Sequence, residues 1–202
     1  MTVAFVQDAE LGRARRGMDP PRLARLTGAL YLTIAVCGMF APLVLERLLV
    51  PGDAAATAGN ILGSRGVFAA SLIAWLAIVV ADVAVAVTAS LLLASAGRIL
   101  APLAAAVRVV YAAMLAALLV APFDAYRLLV ASAAADVARR QVAALAALES
   151  FSAGFVVALV IFGVHLILLG ALIARSRAIP RALGFLLVAA GVGYIADSLA
   201  KV

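Results

Sequence analysis

Five stretches of this chain, each about twenty residues or longer, are almost free of charge, and no other feature limits the fold so tightly. They cover about 26–45, 67–96, 100–120, 151–174 and 182–200. A peptide backbone inside hydrocarbon finds no water for its N–H and C=O groups, so stretches of this kind are expected to cross a bilayer as helices. Composition agrees: 67% of the residues are hydrophobic and 13% charged, with a mean hydropathy of +1.21, against roughly 25% charge in a soluble domain. The expectation is an all-α, polytopic integral membrane bundle of about five transmembrane helices, forming one domain over 26–200 behind a basic tail, 1–25.

The net charge of +6 does not point to nucleic acid, because the basic residues sit between apolar spans and not among aromatics on a polar face. They act instead as topology signals. Arg13, Arg15, Arg16, Arg22 and Arg25 of the tail, Arg98 of the second turn, and Arg175, Arg177 and Arg181 of the last turn all fall on one side of a five-span bundle. The positive-inside rule makes that side cytoplasmic, with the carboxyl terminus outside, in what reads as a bacterial inner membrane. The first apolar run is too long for a signal-peptide core, so no cleavage is expected, and Met18 is a second candidate translation start.

Two extracytoplasmic segments are expected, 46–66 and 121–150. The first carries Pro51-Gly52-Asp53 and an alanine-rich stretch, 54–64, that is too short to cross. The second carries Asp124, Arg127, Asp136, Arg139, Arg140 and Glu149, too many charges for a lipid-facing span. Asp136 and Arg140 stand one helical turn apart, which suggests a short amphipathic surface helix. Pro102 suits the first turn of the third span, and Pro42 marks a place for a kink near the end of the first. Gly163 and Gly170, like Gly184 and Gly191, are seven residues apart and share a helix face, as close-packing sites between the last two spans would.

Several local motifs resemble those of a bacterial multi-pass family known as domain of unknown function 4386. They are Arg22-Leu-Ala-Arg-Leu-Thr-Gly28, the loop from Gly52 through Asn60 to Leu62, Ile161-Phe-Gly-Val-His165-Leu, Ile179-Pro-Arg-Ala-Leu-Gly184, and Gly193-Tyr-Ile-Ala-Asp197. The resemblance covers most of the chain after the tail. It implies a small helical inner-membrane protein and carries over no catalytic residue.

Chemistry inside the membrane rests on three ionisable residues, Asp82, Arg108 and His165. Such groups cost several kcal/mol in hydrocarbon unless paired, snorkelled or hydrated. At ~1.5 Å per residue, Arg108 lies roughly 10 Å, His165 roughly 14 Å and Asp82 roughly 20 Å from the cytoplasmic ends of their spans. All three can reach one cavity. Side chains lean toward the helix amino terminus, so Arg108 and Asp82, on oppositely directed spans, are expected to lean apart. The expected wiring is an Asp82–His165 hydrogen bond with Arg108 beneath it. Ser71, Trp75, Ala86, Ala89 and Ser90 share Asp82's face, and Ala104, Tyr111 and Ala112 share that of Arg108; Tyr111 is a further candidate donor to the site. Two readings stand open: a proton-sensitive or anion-binding site, and a structural network with Arg108 snorkelling.

Glu46, Asp124, Arg127 and Asp197 form a second candidate group toward the outer surface. No nucleophile elbow, zinc-protease motif, P-loop or dinucleotide fingerprint occurs, and one histidine and one cysteine, Cys37, make neither a usual metal site nor a disulfide. No cofactor and no catalytic residue is assigned. The expected partners are the bilayer and a lipid or small-molecule ligand, without nucleic acid; a homo-oligomer or larger membrane complex is left open. A non-catalytic bundle with a buried polar site leads, ahead of a scaffold or accessory subunit and an intramembrane enzyme. The absence of an evident internal repeat argues against a transporter.

Overall fold

A computed structural model describes residues 19–131, 136–176 and 179–201. The basic tail through Met18, and Arg177, lie outside the described residues. Seven α-helices occur among those described, α1 (Pro20–Leu48), α2 (Ala54–Gly63), α3 (Arg65–Leu93), α4 (Leu100–Leu118), α5 (Val120–Val130), α6 (Val137–Arg175) and α7 (Arg181–Ala200), with a short 3-10 turn, Ala94–Ala96, after α3. Five segments are long and apolar enough to cross a membrane: Pro20–Leu48, Arg65–Ala96, Leu100–Val130, Val137–Arg175 and Arg181–Ala200. The protein is an all-α polytopic membrane bundle.

Prolines set several boundaries. Pro20 and Pro21 open α1, where a missing N–H costs no helical bond. Pro102 sits in the first turn of α4. Pro122 has no N–H to return to Leu118, and the helix breaks there into α4 and α5. The first helix nonetheless runs through Pro42 to Leu48.

The segment 46–66 is a cross-braced connection. Asp53 caps α2 by accepting the Ala56 N–H at 2.9 Å, and Thr57 Oγ1 both accepts the Val50 N–H and donates to the Val50 carbonyl. Asn60 Nδ2 donates to the Leu48 carbonyl, while the Gly52 N–H reaches Glu149 on α6. Gly52 adopts φ 76°, a left-handed conformation that favours glycine.

The segment 121–150 departs from the expected amphipathic surface helix at Asp136 and Arg140. Asp136 and Arg140 do not belong to a separate short helix; they open α6, a single helix of 39 residues and roughly 58 Å. Hydrocarbon is only about 30 Å thick, so the first turns of α6 project beyond it, where charge carries no lipid penalty. α5 is the short polar-flanked helix of this region, and it packs with α2 against the projecting turns of α6 around Ile61, Phe68, Ala125, Ala144 and Leu148.

Two more core layers follow along the bundle. The middle one contains Trp75, Ile78, Tyr111, Leu115, Phe151 and Ala158. The third, at the arginine-rich end, contains Leu93, Ala101, Leu169, Leu172 and Ile173. Outward faces carry Leu32, Val36, Val80, Val87 and Leu186, exposed aliphatic groups suited to lipid.

The α6–α7 pair brings its backbones into direct contact. A Cβ built on Gly163 would lie 2.7 Å from the Gly191 carbonyl oxygen, and one on Gly184 would lie 2.6 Å from that of Gly170. The seven-residue spacing thus brings two glycine pairs face to face in an antiparallel crossing, as read from the sequence. On the other flank, α1 packs on α3, and α1 and α7 form no packed pair among the described residues. A cleft is left between them.

Candidate functional site

Asp82 on α3, Arg108 on α4 and His165 on α6 meet between the middle layer and the arginine-rich layer. Their relative exposures are 1%, 1% and 2%, so water does not screen their interactions. Arg108 is the hub: Nη2 donates to Asp82 Oδ1 at 2.5 Å and Nη1 to His165 Nε2 at 2.8 Å. The expected Asp82–His165 bond with Arg108 beneath is therefore corrected, because the arginine lies between the other two. The helical lean fixes only the Cα–Cβ bond, and an arginine's remaining torsions let its guanidinium turn back across the bundle.

The partners also settle the state of the histidine. The Ala104 carbonyl, 2.9 Å from His165 Nδ1, can only accept, so Nδ1 carries the proton. Arg108 Nη1 can only donate, so Nε2 presents its lone pair. His165 is a neutral Nδ1–H imidazole, and a second ring proton would face a guanidinium. The three side chains then carry no net charge, because Asp82 and Arg108 cancel.

The network is not closed. Asp82 Oδ2, Arg108 Nε and the Tyr31 hydroxyl are buried and have no hydrogen-bond partner among the described residues. Each such group costs about 1–3 kcal/mol when left unmet. The guanidinium is flanked by Tyr31 and Phe162, whose ring centroids lie 5.2 and 5.8 Å from its Cζ, a cation–π arrangement.

Two cavities adjoin the network along the α1–α7 cleft. One, of about 700 Å³, runs from the arginine-rich end between Thr27 and Leu183 to Tyr31 and Arg108. The other, of about 320 Å³, lies in the opposite half and is bordered by Trp75, Asp82 and Tyr111. Ile34, Ala35, Phe162 and Tyr194 border both, so they mark the waist of one cleft. Phe162 and Tyr194 meet edge to face there, 5.5 Å between centroids.

Of the expected site residues, Asp82, Arg108 and His165 come together. Tyr111 is buried beside them, its ring 4.9 Å from Phe162, and it borders the cavity of Asp82 with no hydrogen bond to the network. The outer group does not converge. Asp124 pairs with Arg127 at 3.2 Å and Asp197 with Lys201 at 2.6 Å, each on its own exposed helix surface, and Glu46 is exposed on α1. Of the face residues, Ser71, Trp75, Ala86, Ala89, Ala104 and Ala112 are buried as a bundle-facing stripe requires, and Ser90 is half-buried.

Sequence reading missed Tyr31, Phe162, Tyr194 and the Ala104 carbonyl. Only the last had a local signal, since Ala104 is one helical turn before Arg108. No group of three or more His, Cys, Asp or Glu residues able to hold a metal occurs among the described residues. No curated protein and no solved structure matches the chain. Residues 26–202 match the family described as Domain of unknown function (DUF4386), and the chain belongs to that family.

Proposed function

We propose that the protein binds an amphipathic small molecule or lipid in the α1–α7 cleft, with the Asp82–Arg108–His165 network as its polar anchor. One observation carries this reading: residues that hold buried, unpartnered polar atoms line cavities that open between two unpacked helices. A purely structural network would be expected to close on itself, because every unmet polar atom in a low-dielectric interior weakens the fold. The cavity at Arg108, about 700 Å³, falls within the usual size of small-molecule sites, roughly 300–1,000 Å³. The neutral, doubly bonded His165 favours binding over proton transfer.

The membrane in this proposal is a bacterial cytoplasmic membrane, with the arginine-rich end inside. Arg22, Arg25, Arg98, Arg175 and Arg181 support that orientation, as they flank the same ends of their spans. The test is native mass spectrometry of protein extracted in mild detergent. A bound species is expected on the unaltered protein and is expected to be lost from Ala190→Trp, which fills the cleft from the exposed side of α7 while leaving thermal stability unchanged. Bare protein in both samples would overturn the proposal.

A further inference from the structure

Resting on that binding reading, we infer that the cleft selects an uncharged, oxygen-bearing head, such as a hydroxyl, ester or carbonyl group on an apolar chain, that enters sideways from the bilayer.

Charge complementarity comes first. An isolated buried arginine would attract a phosphate or carboxylate. Here Asp82 Oδ1 already neutralises the guanidinium at 2.5 Å, and His165 adds no charge. An anion brought to Arg108 would also approach the Asp82 carboxylate, and a cation brought to Asp82 would approach Arg108. What the site offers is unmet hydrogen bonding without net charge. Arg108 Nε–H is a donor, the Tyr31 hydroxyl a donor or acceptor, and Asp82 Oδ2 an acceptor. Arg108 and Tyr31 border the same cavity, so a small side-chain shift that uncovers their buried polar atoms lets a single neutral oxygen meet both.

Depth gives an independent reason. Arg108 stands roughly 10 Å inside its span, below the headgroup region. A charged head drawn to that depth loses its hydration, whereas a hydroxyl, ester or carbonyl loses far less. The lateral route is apolar: Leu32 and Val36 on α1 and Leu183 and Leu186 on α7 are exposed. A second copy of this chain fits the cleft less well, since these outward faces supply chiefly aliphatic groups and nothing to meet the polar atoms at its floor.

Matched sixteen-carbon probes test the inference: hexadecanol, methyl palmitate, palmitate, hexadecyl phosphate and hexadecyltrimethylammonium. Each is titrated at pH 8 against the purified full chain, and bound fractions are read by native mass spectrometry. Hexadecanol and methyl palmitate are expected to bind at least ~10-fold more tightly than the charged probes. Asp82→Asn removes the balancing carboxylate charge and is expected to reverse the order in favour of palmitate and hexadecyl phosphate. Tyr31→Phe, a change at a half-buried position that spares the ion pair, is expected to weaken hexadecanol several-fold.

Preference of the unaltered protein for a charged probe would overturn the head-group inference while leaving the binding site in place. An unchanged hexadecanol affinity in Tyr31→Phe would do the same. Failure of every probe, with dimers as the dominant species, would overturn the binding reading itself and assign the cleft to a second copy.

Discussion

The two flanks of α7 use opposite kinds of contact. Toward α6, Gly184 and Gly191 lie against the backbone of Gly170 and Gly163, so closely that no Cβ fits. Toward α1, Gly38 has no heavy atom within 4 Å of where its Cβ would be, and cavities replace packing. In lipid, helix association gains little from hydrophobicity, so backbone approach and polar contacts decide which helices adhere. One flank is therefore fixed by shape. The other is left open, with polar atoms at its base, as a surface awaiting a small partner would be.

The largest effect that bears on this contrast should come from Arg108. Arg108→Met leaves the Asp82 carboxylate buried and unpaired and is expected to cost about 3–5 kcal/mol in chemical unfolding from mixed micelles. Adding Asp82→Leu should recover most of that loss, since the orphaned charge then disappears. If the single and double variants are equally unstable, the pair is not the hub described here.

Next in size, Gly184→Leu or Gly170→Leu should cost about 2–3 kcal/mol by forcing α6 and α7 apart. The matched Gly38→Leu on the cleft side should not destabilise, and a gain of up to ~1 kcal/mol is expected from the loss of the glycine's freedom. Equal costs at the two sites would erase the distinction between the flanks. His165→Ala leaves Arg108 Nη1 without its ring partner and should cost about 1–2 kcal/mol in the same assay. A similarly small effect, opposite in sign to the losses above, is expected from Gly28→Ala, where again nothing lies within 4 Å. Removing a glycine's freedom from an open helical position should stabilise by roughly 0.5–1 kcal/mol.

Which features were legible in the sequence follows from the range of the forces involved. Span positions, the glycine pairs and the membership of the Asp82–Arg108–His165 group depend on depth and helical phase, and both can be counted along the chain. The wiring of that group depends on torsions beyond Cβ in Arg108, which spacing does not determine. Residues 136–149 were expected in a separate surface helix because their charges are incompatible with lipid. They belong instead to turns of α6 that stand outside it, covered by α2 and α5 through Ile61 and Ala125. Tyr31 was invisible for another reason: an uncharged tyrosine in the first span shows no link to an arginine in the third until the helices are assembled.

The central claim is that the open flank, and not the lipid-facing surface in general, receives the ligand. Photolabelling in native-like bilayers with hexadecanol bearing a diazirine near its hydroxyl, followed by peptide mapping, tests it most directly. Adducts are expected to concentrate on residues 31–39 of α1 and 186–194 of α7, and to fall in Ala190→Trp. Adducts spread evenly onto the exposed face of α3, at Ile73, Val80 and Val87, with no change in Ala190→Trp, would contradict it.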